Sequence, residues 1–347
     1  MRAVIFQRHG GPEVMEIVDL PEPIPGPGEV QVRVSAVALN HIDLWMRRGL
    51  PAMKIALPHV PGGDVCGQIS ALGAGVTGID VGLRVSINPG LTCGRCQACL
   101  DGRDNLCPAF RMLGEHTQGG MADFVVVPVA NIVPAPPERV RISDTDLAAV
   151  PITFITAWQM LIDKARVQRG ETVLVLGAGS GVGVAAIQIA KLFGARVIAV
   201  ASSERKLAAA RKLGADDTID TLTEDLVAGV KRLTGRRGAD VVVEHTGAAT
   251  FAKSVVACAR GGRIVTCGAT DGYEATLNLR HVFWRQLSIL GSTLAPKSRL
   301  FEVLDCIAAG QLRPVVDRIL PLSAVAEAHR ALEAREVFGK IVLVTEP

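Results

Sequence analysis

Aromatic side chains are scarce here: one Tyr, three Trp and nine Phe in 347 residues. The core must be aliphatic, and the lone Tyr273, in the turn DGYE, leaves a phenolic general acid no obvious place. Long apolar runs are missing too. No stretch of about 18 uncharged apolar residues exists, so no transmembrane helix is expected. The start, MRAVIFQRHGGPEV, lacks the apolar run of a signal peptide. Net charge is only +3, without a Lys/Arg run, which argues against nucleic acid and against a membrane surface as partners. Disulfide spacing is absent as well. Of eight cysteines four bunch at positions 93–107, while Cys66, Cys258, Cys267 and Cys306 are scattered, a pattern that points to the cytoplasm.

What remains is a folded chain of two-domain length, 49% hydrophobic and 20% charged. Residues 1–150 read as short, often alternating strands (RAVIF, EVMEIV, EVQVRVSAVAL, DVCGQISAL, RVSIN, DFVVVP) with one helix at 40–48 closed by Gly49. From 151 to 292 strands and helices alternate: ETVLVLG, GVGVAAIQIAKLFG, ARVIAV, SERKLAAARKLG, DTID, TEDLVAGVKRLTG, ADVVVEH, ATFAKSVVACARGG, RIVTCG and LSILGST. Continuous apolar strands between helices predict an α/β fold, a doubly wound parallel sheet. Residues 293–347 add helices at 297–309 and 323–334, an extended VVDRILP, and a last strand, KIVLV, which either extends that sheet or returns to the first domain.

The segment VLVLGAGSGVG runs from a strand through Gly177, Gly179, Ser180, Gly181, Val182 and Gly183 into a helix. Glycines let a pyrophosphate approach backbone N–H groups, and the helix start adds partial positive charge. The strict G-x-G-x-x-G pattern fails at Val182, so position at the head of a strand–helix series carries the reading. The second strand ends at Ala201, where an NAD site would place an acid. Ser202, Ser203, Arg205 and Lys206 follow, which suits a 2′-phosphate and predicts NADP(H); Glu204 is expected to turn away. His245 and Thr246 follow ADVVVE, and Cys267, Gly268 and Ala269 end RIVTCGAT. Both lie at carboxyl ends of parallel strands, where such sheets bind ligands.

The loop CGRCQACLDGRDNLC spaces Cys93, Cys96, Cys99 and Cys107 as C-x2-C-x2-C-x7-C. Four thiolates can close a tetrahedron round Zn²⁺ and leave no position for substrate, so the expected metal is one structural zinc. An iron–sulfur cluster is the competing reading. The ferredoxin run, however, has three residues before its last Cys, and no second set follows.

Together these segments resemble the medium-chain dehydrogenase/reductase superfamily over the whole chain: GPGEVQVRVSAVALNHID, PHVPGGDVCGQI, the cysteine loop, ITAWQML, the glycine turn and FGKIVLV. The resemblance implies a GroES-like, β-rich catalytic domain (1–150 and 293–347), a Rossmann domain (151–292), an active site in the cleft, and a homodimer or tetramer pairing through LSILGST. It also exposes departures. Asn40 stands where zinc alcohol dehydrogenases have Cys, Gly63 where they have His, and Ile152, to within one residue, at the third ligand. None of these side chains can bind Zn²⁺, and Asp64 alone makes no site, so no catalytic zinc is expected.

Without a Lewis acid for an alkoxide, the fitting substrates are double bonds polarised by a carbonyl. The expected function is NADPH-dependent reduction of an enoyl-CoA thioester; the PGGDVCG segment resembles the motif of quinone oxidoreductases, and the cysteine loop with Asn40 resembles the acryloyl-CoA reductase-type branch. Alternatives are a quinone or enone reductase, a zinc alcohol dehydrogenase, and a non-enzymatic NADPH-binding protein. The resemblance marks Asn40 and Asp64 as catalytic candidates. Asn40 also suits a helix N-cap, and Asp64 a hydrogen-bonded structural role. It places His41, Thr156 and Lys340 near the cofactor, His41 and Lys340 at phosphate, and His41 equally suits a solvated helix position. Asp43 reads as a first-turn carboxylate, Trp45 and Trp158 as pocket or core, His59 and His116 as donors in the cleft or, more simply, core or surface residues. Arg47, Arg48, Arg285, Lys297 and Arg299 are the scattered cations open to CoA phosphates.

Overall fold

The computed structural model describes residues 1–50, 54–137 and 140–345. They form two compact units, Met1–Ile152 with Pro296–Pro347, and Thr153–Ala295. The boundaries expected at 150/151 and 292/293 compare with Ile152/Thr153 and Ala295/Pro296.

In the first unit the long strand Glu29–Ala38 organises the fold. One edge pairs antiparallel with Asp64–Leu72. The other edge is shared: its first half takes Phe124–Pro128 and its end takes Lys340–Val344, both antiparallel. Arg84–Ile87 and Ile132–Pro134 extend the sheet beyond Asp64–Leu72, and Val316–Pro321 lies parallel to Lys340–Val344 at the opposite edge. The last strand thus returns to the first domain. Valines and isoleucines of these strands form one aliphatic cluster, including Val32, Val65, Ile69, Val85, Ile341 and Leu343, with Phe6 its one fully buried ring. Alternation in Glu29–Ala38 breaks where the register shifts, at Gln31/Val32 and Val34/Ala36. Gly67 of the paired strand Asp64–Leu72 lies opposite this stretch, at Val34, and a Cβ there would meet the Arg33 carbonyl oxygen at 2.0 Å. Helix His41–Arg48 follows the strand directly and closes at Gly49, with φ +86°.

The second unit is a six-stranded parallel sheet in the order Asp217–Asp220, Arg196–Ala201, Thr172–Val175, Ala239–Glu244, Cys258–Thr266, Ser288–Gly291. Numbered along the chain this is the Rossmann order 3-2-1-4-5-6. Helices Gly181–Leu192, Glu204–Lys212, Leu226–Leu233 and Phe251–Ala257 connect the strands. The segment expected as one helix up to ARGG divides instead. The helix stops at Ala257 and the strand starts at Cys258, because Cys258 already pairs with Ala239 across a register shift. Helix Pro151–Trp158 runs on as a π-helix, Gln159–Lys164, an element with no signal in the apolar pattern.

Candidate functional site

The strand Thr172–Val175 lies between Arg196–Ala201 and Ala239–Glu244, at the point where the strand order reverses. Its carboxyl end carries the glycine turn. Gly177 has φ +53°, and a Cβ there would stand 2.7 Å from the His245 ring. A Cβ on Gly183 would stand 2.4 Å from the Gly177 carbonyl oxygen. The turn and the helix it opens can approach this closely only as glycine. Ser180 caps helix Gly181–Leu192, accepting from the Gly183 N–H at 2.9 Å, and its hydroxyl lies 3.4 Å from His245 Nε2. Burial holds the His245 imidazole below its ordinary pKa. This cradle of backbone N–H groups around Gly179, Gly181 and Val182 fits a dinucleotide pyrophosphate.

The other expected cofactor residues of this unit lie at neighbouring strand ends and on helix Pro151–Trp158. Ala201 ends its strand with no carboxylate of its own; Ser202 is exposed, and Ser203 caps the next helix by accepting from the Lys206 N–H at 3.4 Å. Glu204 is engaged by Arg211 along the same helix. The loops bearing His245–Thr246 and Cys267–Ala269 meet through Thr270 N to His245 O (3.3 Å) and Asp271 N to Thr246 O (2.8 Å). Burial pushes the Cys267 thiol up to about 12, which makes it unreactive at neutral pH. Thr156 is buried on helix Pro151–Trp158. Trp158 is buried as well, edge-on to Phe193 at 5.7 Å, whereas Trp45 is half-buried.

The first unit holds a second constellation under the start of helix His41–Arg48. Asp64 is completely buried. Its Oδ2 accepts from Asn40 Nδ2 (2.9 Å) and Lys340 Nζ (2.9 Å), and its Oδ1 accepts from the Ile152 N–H (2.7 Å). Lys340 also donates to Asn40 Oδ1 at 2.5 Å. Both ends of the Asn40 amide are therefore used within the unit, and Asn40 stands at the N-cap of helix His41–Arg48. Lys340, expected at a cofactor phosphate, is found with its ammonium on Asn40 and Asp64 and only 4% of its surface exposed. His41 opens the helix half-buried.

Asp43 is the residue that sequence reasoning undervalued. It does occupy the first turn, and it is also fully buried, accepting from the Asn40 N–H (2.7 Å) and the Gly62 N–H (3.1 Å). Burial pushes its carboxyl up to about 7, against the opposing pull of Asn40, Lys340 and Gly62. The helical period could have shown it, since Asp43 shares the inward side with Met46 and Arg47.

Gly63 lies beside these groups. A Cβ on it would meet the Leu113 carbonyl oxygen at 2.9 Å and Ile152 Cδ1 at 3.1 Å. Asn40, Gly63 and Ile152, matched to ligand positions by resemblance alone, are thus neighbours around Asp64. Among the described residues the only cluster of potential metal ligands is Cys93, Cys96, Cys99 and Cys107. Their sulfurs all lie within 4.8 Å of one another, with 3.5 Å between Cys96 and Cys99 and between Cys107 and Cys93. Four sulfurs bound to one Zn²⁺ stand about 3.8 Å apart, so the set fits a closed tetrahedral site.

The remaining histidines and cations are committed elsewhere. His59 is a core residue donating to the Gly114 carbonyl (3.0 Å), and His116 accepts from the Met112 N–H (3.2 Å). Buried Arg47 binds His329 and Glu333, with Arg48 on the same carboxylate. Arg285 donates to carbonyls of Val255, Val256 and Cys258, Lys297 to Asn131, and Arg299 to Glu302. None of these five is a free phosphate anchor.

Two family profiles match the chain: "Alcohol dehydrogenase GroES-like domain" over residues 26–137 and "Zinc-binding dehydrogenase" over residues 181–309. An acryloyl-coenzyme A reductase of Metallosphaera sedula is 32% identical, covering 99% of this chain and 100% of its own length. A human quinone oxidoreductase is 29% identical over 99% and 98%. A crystal structure described as an NAD-dependent alcohol dehydrogenase superposes with a TM-score of 0.95 at 56% identity, covering both chains completely. The chain belongs to the medium-chain dehydrogenase/reductase superfamily. As a member it is an NAD(P)-dependent oxidoreductase with GroES-like and Rossmann domains.

The raised Asp43 pKa has a stability consequence. Between the unfolded value near 3.8 and the folded value of about 7 the native state binds the extra proton, so stability falls as pH rises through this window. Denaturant titrations at several pH values should show this component, at most about 1.4 kcal/mol per pH unit, and Asp43→Asn should abolish it. An unchanged pH profile in Asp43→Asn would refute the assignment.

Proposed function

We propose that this oxidoreductase reduces carbon–carbon double bonds activated by a carbonyl, with NADPH as reductant and an enoyl-CoA thioester as the best-fitting substrate class. One observation carries the reading. Where a catalytic metal would need ligands, Gly63 has no room for a side chain, Ile152 offers only carbon, and the Lys340 ammonium already sits on Asn40 and Asp64. A divalent cation placed there would lack donors and be repelled by the fixed charge. The donor set therefore does not fit a catalytic zinc.

Reduction of a conjugated double bond needs no such metal. The nicotinamide, when bound, supplies a hydride to the β-carbon. The carbonyl oxygen then takes up the charge of the broken π bond as an enolate, which hydrogen-bond donors can hold. The α-carbon takes its proton from water; the carboxylates of Asp43 and Asp64 are buried and occupied. On this reading Asn40, Lys340 and Asp64 are positioning residues that hold the start of helix His41–Arg48. The glycine turn, with Thr156, His245, Thr246 and Cys267–Ala269, holds the cofactor. Support for NADPH comes from Ala201 at the strand end, from Ser202, Ser203 and Lys206, and from the engagement of Glu204 by Arg211.

A second reading, alcohol oxidation with NAD, is favoured by the description of the 56%-identical structure. The names of the acryloyl-CoA and quinone relatives favour the first. The cysteine set would hold a single structural zinc, and all eight cysteines are unpaired, as suits the cytoplasm. No helix among the described residues is long and apolar enough to cross a membrane. Ser288–Gly291 ends the parallel sheet as an edge strand, with Leu279, Phe283, Trp284 and Ile289 exposed beside it. A second copy of the chain pairing there would cover both the edge and the apolar face.

Three measurements test these statements. Purified protein should oxidise NADPH, and NADH at least tenfold less efficiently in kcat/KM, with crotonyl-CoA, simple enones or quinones. Alcohol oxidation without enone reduction would reverse the assignment. Metal analysis should give one zinc per chain, lost with Cys96→Ser together with thermal stability; two zincs would restore the alcohol dehydrogenase reading. In light scattering, Trp284→Glu should halve the mass of the wild-type oligomer, and an unchanged mass would place the interface elsewhere.

A further inference from the structure

Glu244 is a buried carboxylate that the preceding reading leaves unused. It closes the strand Ala239–Glu244 and is completely buried, and among the described residues no cation lies within ion-pair distance of it. Burying an unpaired carboxylate costs several kcal/mol unless donors fill its lone pairs. Here they do. Oε1 accepts from the N–H groups of Thr246 (2.8 Å) and Gly247 (3.1 Å), and Oε2 from the Ser254 hydroxyl (2.6 Å). The Thr250 hydroxyl bridges both oxygens at 3.0 Å. The chain from 246 to 254 is wrapped around one side chain.

That wrapping sets the position of a second loop, which the carboxylate does not touch. His245 O accepts from Thr270 N and Oγ1 (3.3 and 3.4 Å), and Thr246 O accepts from Asp271 N (2.8 Å). Ala248 N donates to Gly272 O at 3.1 Å. Gly247 has φ +98°, and a Cβ on it would stand 2.5 Å from Gly272 O. The Cys267–Gly272 loop is therefore docked on a surface whose shape Glu244 determines.

We propose that Glu244 is a positioning residue for the cofactor, holding the loops His245–Gly247 and Cys267–Gly272 in the arrangement that receives the nicotinamide end of the dinucleotide. This rests on the reading of the unit as an NAD(P) site. Acceptor capacity is the property required: Glu244→Gln has the same shape but turns one acceptor into an amide donor that faces donors. The effect reaches the cofactor through the loops and leaves the strands of the sheet in place.

The test compares wild type, Glu244→Gln and the milder Thr250→Val, which keeps the carboxylate and removes one donor. NADPH and NADH affinities are measured by fluorescence titration, and hydrogen exchange is followed by mass spectrometry in peptides covering 245–250, 267–272 and the strand 172–175. Glu244→Gln should weaken cofactor binding about tenfold and speed exchange in both loops but not in the strand. Thr250→Val should shift both readouts the same way by less, and it decides the question if Glu244→Gln does not fold. The KM for the reducible substrate at saturating cofactor should stay unchanged. Wild-type cofactor affinity in the variants, or faster exchange confined to 245–250, overturns the proposal. If wild type itself binds neither NADPH nor NADH, the cofactor assignment fails instead, and with it the ligand this positioning would serve.

Discussion

The first unit turns on one buried ion pair. Lys340 and Asp64 lie 2.9 Å apart with almost no solvent contact, and Asn40 bonds to both. Taking two charges out of water costs several kcal/mol per ion, so such a pair survives only when its remaining lone pairs and protons are bonded. Asn40 and the Ile152 N–H complete Asp64, and Asn40 completes part of Lys340. Three distant segments are thereby pinned together: the end of strand Glu29–Ala38, the start of Asp64–Leu72 and the start of Lys340–Val344. The return of the last strand to the first domain, and the entry of helix His41–Arg48, depend on this arrangement.

On the proposed reading the same network bears on the chemistry of the unit. In a metal-dependent relative the charge that stabilises an oxyanion would be a bound cation. In this chain a lysine ammonium is fixed on the very carboxylate and amide that neighbour Gly63 and Ile152. A second buried carboxylate, Asp43, is relieved by being pushed toward neutrality. Among the described residues the one cluster of potential metal ligands is the four-cysteine lobe, whose donor set leaves no open position round a bound zinc.

Much of the fold was legible because period and punctuation are local. Apolar strands alternating with helices announced the parallel sheet, and Gly177–Gly183 announced the tight turn from its first strand into a helix. The cysteine spacing announced the metal lobe equally well. Legibility failed where a contact distant in sequence decides. Cys258 reads as helix but pairs with Ala239. Asp43 reads as a first-turn carboxylate on the helix dipole but packs, buried, under the Gly62 N–H. Glu244 reads as the end of a strand, yet four donors within ten residues fold around it.

By itself, then, the sequence determined the two fold classes, the glycine cradle, the thiolate tetrad and the absence of ligating side chains at residues 40, 63 and 152, because each of these is a matter of residue type and short spacing. Only the tertiary structure decided where the last strand pairs, that Lys340 binds Asp64 and Asn40, and that Asp43 and Glu244 are buried. Burial and ion pairing depend on which segments meet, and a partner 276 residues away leaves no trace in local pattern.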